Sequence, residues 1–133
     1  MDTTLSIHAA ALWVGLHLIL LLVLSVLVVR QRRKHAVELG DAEIPELARA
    51  IRAFGNASEY VPAGLIALVV LALAGASPLV VHATGLTLFA GRCAHALGLS
   101  RSGAASLPRA LGVLMTWIAY IMAGVALVFY AIP

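Results

Sequence analysis

Four long apolar stretches, separated by short polar segments, dominate the chain. The first stretch has no charged residue between Leu5 and Val29. Its length exceeds the ~20 residues that an α-helix needs to cross a bilayer. The later stretches begin near Pro45, Pro78 and Pro108, and proline is favoured in the first turn of a helix, where its missing N–H has no intrahelical partner. The pattern therefore predicts four transmembrane helices, over about residues 5–33, 45–75, 78–99 and 108–132.

The composition points to the same class of protein. Hydrophobic residues make up 62% of the chain and charged residues 11%, less than half of the ~25% found in soluble domains. No basic leader or small-residue cleavage site marks the first stretch as a signal peptide, so we expect a retained helix. We predict an all-α integral membrane protein, with residues 1–133 forming a single four-helix transmembrane domain.

The basic residues lie in or beside two of the predicted loops. They are Arg30, Arg32, Arg33, Lys34, Arg49 and Arg52 around the first loop, and Arg92, Arg101 and Arg109 around the third. With four spans these two loops are on one side of the membrane, and the positive-inside rule places that side in the cytoplasm. Both termini are then expected on the opposite side. Setting this topology could be the whole role of the charges at residues 32–34.

Polar residues from three of the helices are predicted to reach one depth in the membrane. A helix rises ~1.5 Å per residue, so Glu59 lies ~24 Å from the far end of the second helix, and Arg92 and His95 lie ~21 and ~26 Å from the far end of the third. Arg109 opens the fourth helix at the same boundary. Ionisable groups inside a membrane are costly and usually functional, so we expect a shared cationic site at the cytoplasmic face.

Helical periodicity groups these residues further. On the second helix, one stripe is formed by residues at i, i+3, i+7 and i+10, namely Arg49, Arg52, Asn56 and Glu59. Arg92 and His95 lie at i and i+3, so they also share one face of their helix. Glu59 and Arg92 are expected to neutralise each other in a low dielectric. The alternative is that such a pair only locks two helices together, because a buried ion pair contributes little net stability.

Other kinds of site find no support in the sequence. No histidines have metal-ligand spacing with a carboxylate or cysteine partner, so a metal site is not expected. Cys93, the only cysteine, is interpreted as a packed thiol. The basic residues lack the interleaved aromatics of a nucleic-acid site, and no glycine-rich phosphate loop is present, so nucleic acid is not expected as a partner.

Two motifs resemble those of a known family. Residues 49–62 (RAIRAFGNASEYVP) resemble the second-helix signature of the MAPEG proteins, the membrane-associated proteins of eicosanoid and glutathione metabolism, and residues 91–98 (GRCAHALG) resemble the third-helix motif. Arg109 falls where family enzymes carry a basic residue. The size and the four-span plan match along the whole chain, as in bacterial-type members.

The resemblance implies a fold, a ligand and a set of site residues. Family members are homotrimers of four-helix subunits that bind glutathione between neighbouring subunits, near the cytoplasmic face. Arg109 resembles the catalytic arginine that stabilises the glutathione thiolate, and Arg30 resembles an arginine that closes the site. The remaining residues that match glutathione contacts are Arg52, Asn56, Glu59, Arg92 and His95.

The function expected from this resemblance is that of a membrane-bound glutathione transferase or peroxidase. It would act on lipophilic electrophiles that arrive through the lipid of the bacterial cytoplasmic membrane. Leu99 and Val113 stand where several members carry tyrosine, so we do not expect a prostaglandin or leukotriene synthase. One alternative is a non-catalytic member that binds a lipid or thiol ligand. A remote alternative is a small multidrug transporter, for which Glu59 is the only available membrane carboxylate.

Overall fold

Four α-helices make up nearly the whole chain in a computed structural model, which describes residues 2–132. They are α1 (Asp2–His35), α2 (Pro45–Leu73), α3 (Pro78–Arg101) and α4 (Leu107–Ala131). No strand occurs within residues 2–132. Proline lies in the first two positions of α2, α3 and α4, as expected for a residue without a backbone N–H.

Three of the helices, α1, α2 and α4, are long and apolar enough to cross a membrane. Large apolar side chains face outward from them, among them Leu22, Ile66 and Val125, as expected for a surface in contact with lipid. The remaining helix, α3, does not reach that level of apolarity. It lies in the interior instead, where it contacts all three other helices and carries the buried side chains of Arg92 and His95.

The helices are arranged around a central pair. α2 and α3 contact each other, α1 packs against both of them, and α4 packs against both of them without contacting α1. One apolar cluster includes Trp13, Leu68 and Leu71. A second, nearer the basic loops, includes Leu24 and Ala96. The all-α membrane fold predicted from the sequence is thereby confirmed.

Glycines bring α3 and α4 unusually close together. A Cβ atom added at Gly112 would lie 2.5 Å from the backbone nitrogen of His95 and 2.6 Å from the carbonyl oxygen of Gly91. Small residues at such crossings allow backbones in membranes to approach and pack by van der Waals contact. This contact holds the polar face of α3 directly against α4.

The basic end of α1 has a structural role in addition to any effect on topology. Nη1 of Arg32 donates to the carbonyl oxygens of Glu38 and Gly40, at 3.0 Å each. Gly40 has a positive φ of 68°, a conformation that glycine adopts without steric cost. Arg32 therefore fixes the turn that leads from α1 into α2.

Candidate functional site

Arg92 is the centre of a polar cluster that joins three helices. Its side chain is only 2% exposed, and all three guanidinium nitrogens donate hydrogen bonds. Nε donates to Oγ1 of Thr116 at 2.9 Å, Nη1 to Oδ1 of Asn56 at 2.8 Å and Nη2 to the carbonyl oxygen of Gly112 at 3.3 Å. A buried charge is tolerable only with such partners, so these contacts fix the orientation of α3 between α2 and α4.

Two tyrosines complete the surroundings of Arg92. The guanidinium carbon lies 5.0 Å from the centre of the Tyr60 ring, within the range of a cation–π interaction. The Tyr120 hydroxyl donates to the backbone carbonyl of Tyr60, and the two rings are 6.1 Å apart. The aromatic pair thus connects α2 to α4 one turn beyond Asn56.

The predicted ion pair between Glu59 and Arg92 is wrong. The Glu59 carboxylate instead lies 3.7 Å from Nη1 of Arg52, and these two side chains are 57% and 64% exposed. Asn56 occupies the inward position on α2 that meets Arg92. The polar residues of α2 therefore face two directions. The Asn56 amide faces α3, and the charged groups of Arg52 and Glu59 lie on the exposed flank of α2.

His95 and Arg109 meet through the backbone of α4. Nδ1 of the largely buried His95 lies 3.2 Å from the carbonyl oxygen of Arg109, so this nitrogen donates. Nη1 of Arg109 donates to the carbonyl oxygens of Gly103 and Ala104, at 3.2 and 3.0 Å. Its aliphatic stem crosses Gly98, where an added Cβ would lie 2.7 Å from Cγ of Arg109. The Arg109 guanidinium thus faces the loop between α3 and α4.

Arg30 makes no polar contact with this cluster within residues 2–132. It is exposed on α1, and within residues 2–132 no hydrogen bond or ion pair joins it to the other predicted site residues. The structure therefore brings Arg92, Asn56 and His95 together in the interior and puts Arg52 and Glu59 on the adjoining flank. Arg109 joins them through its backbone.

Sequence reasoning missed the contributions of Tyr60 and of the α4 residues that follow Arg109. Thr116, Tyr120 and the glycine at 112 follow Arg109 at i+7, i+11 and i+3, so all four lie on one face of α4. Thr116 and Tyr120 are polar groups within the apolar stretch of α4 that follows Arg109, which was the available signal. Tyr60 follows Asn56 at i+4 and could have been placed on its face by the same rule.

The fold and this cluster define an integral membrane protein with a buried cationic site close to its basic loops. The chain belongs to the MAPEG family, whose sequence model matches residues 10–129. It is similar to the inner membrane protein YecN of Escherichia coli K12, with 35% identity over 121 residues that cover 91% of each chain. The YecN protein of E. coli O6:H1 matches to the same extent.

Proposed function

We propose that this MAPEG protein activates glutathione for conjugation to, or reduction of, lipophilic electrophiles in the bacterial cytoplasmic membrane. One observation supports this above all: the exposed pair of Arg52 and Glu59 adjoins Asn56, the residue of α2 that contacts the buried Arg92 of α3. A transporter is less well supported, because Glu59, the carboxylate that it would need, already faces a cation at 3.7 Å.

The residues fit the chemistry of glutathione, which carries two carboxylates, one ammonium group and peptide amides. The exposed guanidinium of Arg52 can bind a carboxylate in a bidentate manner, and Glu59 can bind the ammonium group. Oδ1 of Asn56 accepts from Arg92, which orients the amide NH₂ as a donor toward a peptide carbonyl. These three residues would hold the ligand.

Arg92 and His95 support the site from behind. The three nitrogens of Arg92 already donate to protein oxygens, so its role is to orient Asn56 and to add positive charge. His95 fixes the first turn of α4 through the Arg109 carbonyl. Both are therefore positioning residues in this proposal.

Arg109 is the catalytic residue that we propose. When bound, glutathione supplies a thiol whose reactive form is the thiolate. The two contacts of Arg109 within the described chain use Nη1, so Nε and Nη2 can donate to a negatively charged sulfur. Lowering a thiol pKa by two units requires ~2.7 kcal/mol, which is within reach of one partly desolvated guanidinium.

The proposal includes a homotrimer in which a neighbouring subunit covers the open flank of α2. Arg30, which is exposed and makes no hydrogen bond to the cluster of its own subunit within residues 2–132, would then complete the site of a neighbour. Membrane lipid would deliver the apolar co-substrate, and the basic loops would face the cytoplasm.

A non-catalytic ligand-binding role is the second candidate. It is favoured by the orientation of Arg109, whose guanidinium is hydrogen-bonded to the loop at residues 103 and 104. In that case the protein would bind a thiol or lipid ligand without forming a thiolate.

Two substitutions and a control test the proposal in purified protein. Arg109→Ala should lower conjugation of chlorodinitrobenzene about 100-fold, which corresponds to ~2.7 kcal/mol of transition-state stabilisation, and should remove the ultraviolet thiolate band. Arg52→Ala should mainly raise the apparent glutathione constant, because it removes binding common to the ground and transition states.

Arg101→Ala, which removes an exposed cation at the end of α3, is the matched control and should change neither quantity. Normal activity and an unchanged thiolate band in Arg109→Ala would refute the assignment. A wild-type protein that binds glutathione without thiolate or conjugation would establish the non-catalytic role.

A further inference from the structure

A half-open cavity lies at the end of the bundle that carries the basic residues, and its lining is more apolar than polar. Its volume is about 160 Å³, and it lies between the end of α1, the start of α2 and the end of α3. A water molecule occupies ~30 Å³ of liquid, so the cavity is larger than one structural water requires. None of its lining residues belongs to the proposed glutathione site. They are Leu24, Leu27, Gln31, Glu46, Arg49, Ala50, Ala53 and Ser100.

Two buried polar atoms in the lining have no partner within residues 2–132. They are Oε1 of Gln31, an acceptor, and Nε of Arg49, a donor. Buried polar groups in proteins are nearly always hydrogen-bonded, and each unpaired one carries a desolvation penalty. Both side chains border the cavity, so a bound group that offers a donor and an acceptor would pair with these two atoms once the side chains turned toward it.

The charged residues in the lining limit which kinds of ligand could bind in the cavity. Nη2 of Arg49 is 3.7 Å from Oε1 of Glu46, well beyond the 2.7–2.9 Å of a strong charge-assisted hydrogen bond. The pair is therefore loose, and each partner can bind a closer group of opposite charge. A simple anion would be repelled by Glu46, and a simple cation by Arg49. A zwitterion satisfies both.

The remaining lining residues indicate how such a zwitterion would be presented. Leu24, Leu27 and Ala53 form an apolar wall, and the first two lie on the membrane-spanning part of α1. Arg49 and Glu46 lie in the first two turns of α2, next to the basic loop. Apolar groups thus border the side toward the membrane interior, and charged groups border the side toward the loop.

We propose that this cavity binds the zwitterionic phosphoethanolamine group, with Arg49 on the phosphate and Glu46 on the ammonium. Gln31 would provide the remaining hydrogen bond to the headgroup. A phosphatidylethanolamine lipid and a soluble phosphoethanolamine share this chemistry. The apolar wall accommodates the glycerol and upper acyl carbons of the lipid.

Native mass spectrometry of the full-length protein in neutral detergent can measure this binding. The probes are phosphatidylethanolamine, phosphatidylglycerol and free phosphoethanolamine. We expect phosphatidylethanolamine to bind at least about tenfold more tightly than phosphatidylglycerol, which has no ammonium group; tenfold corresponds to 1.4 kcal/mol. Tighter binding of the lipid than of free phosphoethanolamine identifies the lipid as the source, and equal binding identifies the soluble compound.

Substitutions assign the two charges separately. Glu46→Gln should remove the preference for phosphatidylethanolamine over phosphatidylglycerol. Arg49→Gln should weaken the binding of both lipids by about tenfold or more, since each lipid carries a phosphate. Glu43→Gln and Arg101→Gln, at exposed positions of the same end, are matched controls and should retain wild-type binding. Gln31→Met conserves the side-chain volume and weakens binding without changing charge, so it replaces Arg49→Gln if that variant fails to fold.

Two results would overturn the proposal. One is equal affinity of the wild-type protein for the two lipids, with no measurable binding of free phosphoethanolamine. The other is a preference for phosphatidylethanolamine that survives Glu46→Gln, together with an unchanged affinity in Gln31→Met, which would place the lipid outside this cavity.

Discussion

The hydroxyl of Thr116 links the buried charge of α3 to the backbone of α4. It accepts a hydrogen bond from Nε of Arg92 at 2.9 Å and donates to the carbonyl oxygen of Gly112 at 2.7 Å. Thr116→Val replaces this hydroxyl by a methyl group of similar size. The substitution therefore removes the hydrogen bond while leaving the packing of the fully buried side chain nearly unchanged.

The expected loss of stability follows from the charge of the donor. Neutral hydrogen bonds between membrane helices contribute ~0.6 kcal/mol on average, whereas bonds to charged groups contribute ~1.5–3 kcal/mol. The Gly112 carbonyl still accepts from Nη2 of Arg92, so only the Nε group is left without a partner. We expect Thr116→Val to lower the free energy of unfolding by ~2 kcal/mol.

Thr84→Val is the matched control for this measurement. Thr84 is equally buried in the same bundle, but its hydroxyl has no hydrogen-bond partner within residues 2–132. Replacing it removes an unsatisfied polar atom, so stability should stay the same or rise. Equilibrium unfolding in detergent, followed by tryptophan fluorescence, compares the two variants with the wild-type protein.

A double-mutant cycle isolates the contact itself. In an Arg92→Met background the Thr116→Val substitution should cost little, which gives a coupling energy of ~2 kcal/mol between contacting residues. If Thr116→Val is no more destabilising than Thr84→Val, or if its cost persists in Arg92→Met, the reasoning about the buried guanidinium is refuted.

Two further predictions concern the orientation and packing of the helices. Cysteines placed at positions 36 and 104, one in each basic loop, should react with an impermeant reagent in lysed cells and not in intact cells, because all nine Lys and Arg residues lie in these two loops or in the halves of the helices that lead into them; labelling of both in intact cells would reverse the topology. Gly112→Ala should destabilise the protein by ~1–3 kcal/mol through overpacking against the α3 backbone, whereas Gly124→Ala, with nothing within 4 Å of the added Cβ, should not; equal thermal stability of the two variants would show that the close crossing is absent.

Local chemistry explains which features could be predicted from the sequence. The apolar stretches and the helix-starting prolines at 45, 78 and 108 depend on residues near one another in the chain, and the helices begin within one residue of each proline. The polar residues of α2, α3 and α4 were assigned to one depth by counting along each helix, which requires no knowledge of the neighbours. The Arg92 cluster, formed by groups on these three helices, agrees with that assignment.

Counting along each helix could not identify Asn56, rather than Glu59, as the partner of Arg92. Periodicity gives the angle between side chains on one helix, but not the rotation of that helix relative to the next. Asn56 and Glu59 are close enough on α2 that a modest rotation decides which of them meets Arg92. That rotation is set by contacts such as Gly64 with Leu88, where an added Cβ would overlap a leucine methyl group, and these contacts exist only in the folded bundle.

Because Arg92 contacts Asn56 and not Glu59, the charged groups of the site are placed differently from the prediction. An amide accepts from Arg92 but carries no charge, so Asn56 does not compensate the positive charge of the buried guanidinium as a carboxylate would. Glu59 is then left on the flank of α2, where Arg52 is its neighbour. Charged side chains facing lipid within a membrane are costly, and a loose ion pair at 3.7 Å offsets little of that cost. We therefore infer that the flank is covered by protein, and the proposed trimer, in which a neighbouring subunit and its Arg30 face this pair, provides that cover.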